Sequence, residues 1–72
     1  MEEIQIGDKL QFPDGDMATV IKIEEYKDEE DDKGFYDAKN VIFTIDGDEE
    51  KQEFNEILDS REGYKFNIMK RI

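Results

Sequence analysis

Two Asp-Gly turns constrain this chain more than any other feature, because each lies between runs of alternating apolar residues. PDGD occupies 13–16 and IDGD occupies 45–48. Proline presets one φ angle, and Asp-Gly accepts the positive φ that hairpin turns require. Before the first turn, Ile4, Ile6, Leu10 and Phe12 are spaced by even numbers and fall on one face of an extended segment. Gly7-Asp8 interrupts that segment and predicts a bend or bulge. After the turn, Met17 to Lys27 reads as a long second strand that buries Ile21 and Ile23 and leaves Val20 on the other face. KNVIFTI reads as a third strand, with Val41, Phe43 and Ile45 inward and Ile42 and Thr44 outward.

The segment after the second turn, DEEKQEFNEILDSREG, carries two signals. As a helix it would be capped by Asp48, with Glu49 and Glu50 in its first turn, Arg61 in its last and Gly63 just beyond. As a hairpin partner it is a polar strand, followed by one helical turn that buries Phe54, Ile57 and Leu58. The Asp-Gly turn favours the strand plus a short helix. YKFNIMKRI closes the chain as a strand with Tyr64, Phe66 and Ile68 on one face.

Five short strands with tight turns and a short helix before the last strand predict a mainly β protein, a small barrel spanning 1–72 as a single domain, with an acidic loop at 27–38. Closure removes the exposed edges that so short an all-β chain would otherwise carry. IQIGDKLQFPDGDMATVIKI resembles the first hairpin of SH3-like barrels of the Tudor and KOW kind, in which Gly-Asp precedes an alternating strand, an acidic turn and an x-V-x-x-I strand. The resemblance covers about a third of the chain and implies fold rather than activity. An oligonucleotide-binding-type barrel and a β-sheet plus one helix are the competing architectures.

Composition removes several chemistries. The chain has 72 residues and neither cysteine nor histidine, and Ser60 is its single serine. Ser-His and Cys-His nucleophilic pairs cannot be assembled, and zinc loses its two usual ligand types. The five glycines are isolated, so no phosphate-cradling loop exists. An enzyme is not expected, and neither is a cofactor. The acidic N-terminus and the absence of a long apolar run fit a soluble, cytoplasmic protein. The formal net charge of −11 works against direct contact with nucleic acid or an anionic membrane. It favours cationic protein surfaces.

The charge is concentrated. Residues 24–37, EEYKDEEDDKGFYD, hold eight acids and two bases, and 46–56 hold six acids and one base, whereas 59–72 carry a net +2. A calcium loop of the EF-hand type does not fit. Setting Gly34 at its sixth position puts Lys33 at the fifth and Asn40 at the twelfth, where a bidentate glutamate belongs. Charge runs are commonly solvated loops, yet Tyr26, Phe35 and Tyr36 lie within or beside this one. Aromatic rings among carboxylates suit a basic partner, because the rings offer burial and cation–π attraction while the acids pair Arg or Lys. The expected binding residues are therefore Tyr26, Asp28, Glu29, Glu30, Asp31, Asp32, Phe35, Tyr36 and Asp37, joined by Asp48, Glu49 and Glu50.

Three functions compete. In the first, a negative face engages a basic protein surface and, in its sharper form, imitates nucleic acid; in size and charge the chain resembles inhibitors made by phages and mobile elements. That form requires the two acidic segments to share one face. The second is an SH3- or Tudor-like peptide reader using Tyr26, Phe35 or Tyr36. The third is an accessory subunit that uses Ile42, Met69 and Ile72 as an exposed patch.

Overall fold

The computed structural model describes residues 3–30 and 34–72, with the backbone alone described for 26–30 and 34–36. Five strands form one antiparallel sheet: β1 (Lys9–Gln11), β2 (Met17–Glu30), β3 (Gly34–Ile45), β4 (Glu53–Asp59) and β5 (Lys70–Arg71). Their spatial order is β4-β3-β2-β1-β5. The sheet is strongly curled into a half-barrel, with β4 at one edge and β5 at the other. A lone 3-10 turn, Ser60–Glu62, precedes β5.

The two Asp-Gly turns are both present. At the first, the Phe12 amide donates to the Asp16 carbonyl at 2.8 Å, and the Asp14 side chain accepts the Asp16 N–H. Gly15 has φ +100°, a conformation that costs little only without a Cβ. At the second, the Asp48 carboxylate accepts the N–H groups of Glu50 and Gln52, which turns the chain back into β4. Asp48 is thus a turn-former rather than a helix cap, and 53–59 is strand, as the hairpin signal predicts.

The core consists of Ile4, Leu10, Ala18, Val20, Val41, Phe43, Leu58 and Met69, with Phe12, Ile23, Ile45 and Phe66 packed against it. Val41, Phe43 and Ile45 point inward as their spacing predicts. Strand β2 departs from expectation. Val20 pairs with Phe43 and Lys22 pairs with Ile42, so Ile21 is an extra, bulged residue. The bulge reverses the facing of everything after it: Ala18 and Val20 point inward before it, Ile23 after it, while Ile21 is left 40% exposed. Val20 is held there by the first segment, donating to the Asp8 carbonyl and accepting from the Gly7 amide. The same bulge bends the strand and so helps to curl the sheet.

Three other expectations fail locally. Ile6 is exposed because the chain turns at Gly7, where the Asp8 amide bonds back to Gln5. The last nine residues are not one strand. Tyr64 adopts a left-handed φ of 57° after Gly63 at 73°, which breaks any extension, and pairing resumes only at Lys70. Met69 is consequently the buried residue, while Ile68 is exposed. Of Phe54, Ile57 and Leu58, only Leu58 is buried, and all three lie on β4 rather than on the helical turn.

Candidate acidic surface and neighbouring clefts

The β2–β3 hairpin sets the geometry of the charge. Its pairing runs from Ala18–Ile45 at the core end to Glu30–Gly34 near its tip, so strand replaces the loop expected over much of 27–38. β4 pairs with β3 only from Ala38 to Thr44. Beyond Ala38 the hairpin continues as a two-stranded ribbon, and the molecule is 44 Å long but about half as wide.

This arrangement decides where the acidic segments lie. Asp37 pairs with Lys27 on the ribbon, whereas Asp46 to Glu50 follow Ile45 at the opposite end of the same strand. Eight residue steps of strand lead from Asp37 to Ile45, or roughly 26 Å. Asp37 and the Asp46–Glu50 turn therefore occupy opposite ends of the hairpin, while Glu24 and Glu25 on β2 and Glu53 and Glu56 on β4 flank the stretch of β3 between them. Of the expected binding residues, Asp37, Glu49 and Glu50 are exposed and Asp48 is half-buried in its turn. Asp31 and Asp32 lie outside the described residues, as do the side chains of Tyr26, Asp28, Glu29, Glu30, Phe35 and Tyr36.

Among the described residues, Lys9, Lys22, Lys39, Arg61 and Arg71 are engaged in internal ion pairs. Lys9 meets Asp46 at 2.9 Å, Arg71 meets Asp8 at 2.9 Å, Arg61 meets Asp59 at 3.1 Å, and Lys39 meets Glu25 at 3.3 Å. Among the described residues, no ion pair engages Asp37, Asp48, Glu49, Glu50 or Glu53. The Asp46 carboxyl is held below its ordinary pKa, first by the Thr19 hydroxyl and then by the Lys9 ammonium that donate to it. At Asp59, partial desolvation pushes the carboxyl up. Hydrogen bonds from Arg61 and from the Glu62 backbone outweigh it and bring the pKa below the usual range.

Lys39 is a feature that sequence reasoning missed. Its side chain is buried, its ammonium lies 5.2 Å from the centroid of the Tyr64 ring, and Glu3 and Glu25 flank it. It lines a cavity of about 570 Å³ with Ile4, Tyr64, Phe66, Met69 and the stems of Lys65 and Lys70. A lysine between Ala38 and Asn40 carries no local signal of burial; only the return of the 3-10 turn and Tyr64 over it supplies one.

A second cleft lies where the barrel stays open. Between β4 and residues 67–69, Phe12, Phe43, Ile45, Phe54, Ile68 and Met69 line about 400 Å³. Phe54 stacks on Phe43 with ring centroids 6.1 Å apart, and the Asn67 amide donates to Glu56 at 2.9 Å across the gap. The alternation of Phe54, Glu56 and Leu58 is the signal that could have placed these residues on one strand face. Of the patch expected from Ile42, Met69 and Ile72, only Ile72 is largely exposed; Met69 belongs to the core and Ile42 is half-buried.

Among the described residues, no group of three or more acidic side chains is arranged to hold a metal ion, and no helix is long and apolar enough to cross a membrane. Comparisons with protein-family models, curated proteins and solved structures find no match to this chain.

Proposed function

We propose that this protein is a non-enzymatic, cytoplasmic binding module whose acidic surface engages a basic surface of another protein. One observation carries the reading: carboxylates at both ends of the β2–β3 hairpin, Asp37 at one and Asp48, Glu49, Glu50 and Glu53 at the other, lack cationic partners among the described residues. Lys9, Lys39, Arg61 and Arg71 are instead engaged by other carboxylates, Asp46, Glu25, Asp59 and Asp8. A partner that meets both ends must itself be basic over roughly 26 Å. Imitation of nucleic acid is the sharper form of the proposal, in which one basic groove meets both ends of the hairpin. The test is a pull-down from nuclease-treated lysate washed at low and high salt. The expected partner is a basic protein retained at low salt and shed at high salt. Retention that does not change with salt contradicts the reading.

A second reading is an SH3-like peptide-binding module, favoured by the strand order β4-β3-β2-β1-β5 with a 3-10 turn, Ser60–Glu62, as the element that precedes β5 in the chain. Its recognition residues would be Tyr26, Phe35 and Tyr36. Peptide binding that survives Phe35→Ala and Tyr36→Ala removes it.

A further inference from the structure

The open side of the half-barrel combines three properties that occur together nowhere else among the described residues. It is an apolar cleft floored by Phe12, Phe43 and Ile45. It has a rim of large apolar side chains left in water, Phe54 at 44% and Ile68 at 65% exposure. It also borders the acidic segment 46–56, which carries six carboxylates and one lysine, Lys51, and of whose acids Asp46 is paired with Lys9. β4, which forms one wall, is an edge strand whose ladder partner is β3.

We infer that this cleft docks a basic segment of the partner through one large aromatic or aliphatic anchor, with flanking Lys or Arg paired to Glu56, which lines the cleft, and to the Asp48–Glu50 turn that follows Ile45 of its floor. The inference rests on the acidic-surface reading above and adds a defined contact point to it. A volume of about 400 Å³ lies within the range of sites that seat small ligands and single large side chains. Contact with Phe54 and Ile68 removes exposed apolar surface on both partners, which is where binding energy concentrates. Charge selects the occupant. A second copy of this chain would bring its own net charge of −11 against the same acids, whereas a basic segment is drawn to them. The Glu56–Asn67 bond ties the two walls together and holds the cleft in shape without an occupant.

Two peptides and one variant test this with the full chain. The probes are a Lys/Arg-rich decapeptide with a single central phenylalanine and the same peptide with alanine there. The test variant is Ile68→Ser, which removes an exposed side chain from the rim and leaves the charge and the core intact. The phenylalanine peptide is expected to bind about tenfold more tightly than the alanine peptide. The advantage should vanish in Ile68→Ser, and amide shifts should cluster at Phe54, Asn55 and 67–69. Equal, salt-sensitive binding of both peptides overturns the cleft and leaves the acidic surface standing. Absence of binding by either peptide at low salt overturns both. A phenylalanine advantage that persists in Ile68→Ser, with shifts elsewhere, places the anchor at another site and also overturns the cleft.

Discussion

The Lys39 ammonium lies 5.2 Å from the centroid of the Tyr64 ring, which places a buried cation beneath the residue that follows the Gly63 cap of the 3-10 turn. Its carboxylate partners, Glu3 and Glu25, are themselves largely in water. Removing the charge therefore strands no buried anion. Lys39→Met keeps the packing of the stem and should change stability by less than about 1 kcal/mol. Lys39→Glu puts a negative charge beside Glu25 and against the face of Tyr64, and should cost about 3–5 kcal/mol. Urea unfolding of the two variants separates these outcomes; a large loss in Lys39→Met would mean that the cation itself holds the turn in place.

Asp46 binds three strands' worth of chain together, accepting from Thr19 on β2 and from Lys9 on β1. Its pKa is lowered by folding, so its contribution is fully present above the unfolded value of about 3.9 and is lost as pH falls through the folded value. The stability gap between the wild type and Asp46→Asn should be constant from neutral pH to about pH 5 and close below about pH 4. Urea midpoints of both proteins across that range check it. A gap that stays open in acid would show that the carboxylate charge is not what the network uses.

The bulge at Ile21 makes neighbouring residues unequal. Val20→Thr introduces a hydroxyl into the core and should cost about 1–3 kcal/mol. Ile21→Thr makes the same residue at a position facing solvent and should cost less than about 1 kcal/mol. Reversed costs in thermal or chemical denaturation would mean that β2 follows a regular alternation after all.

Glu49, Glu50 and Glu53 can be neutralised without disturbing the turn, because Asp48 supplies the side-chain contacts that shape it. Changing all three to Gln should weaken binding of an oligolysine probe about tenfold at low salt and flatten the salt dependence, with unfolding midpoints nearly unchanged. Unaltered binding would remove this end of the hairpin from the acidic surface.

What was legible in the sequence is what local chemistry dictates. The Asp-Gly turns, the inward set Val41, Phe43 and Ile45, and the strand after Asp46-Gly47 follow from φ preferences and period-two burial, and those are properties of a few adjacent residues. The mainly β class and the short helical turn before the last strand follow from them. The facing of β2 was not legible, since the bulge at Ile21 arises from bonds that Val20 makes to Gly7 and Asp8, more than ten positions away. The end strand was misjudged for a similar reason: the left-handed turn at Gly63 and Tyr64 packs a single residue, Met69, into the core. Composition alone determined that the protein is strongly acidic and lacks nucleophile–histidine chemistry. Only the tertiary structure decided how that charge is laid out along the sheet, with Asp37 far from the Asp46–Glu50 turn and Glu24 and Glu56 brought to either side of β3, because strand register, unlike charge count, is set by long-range pairing.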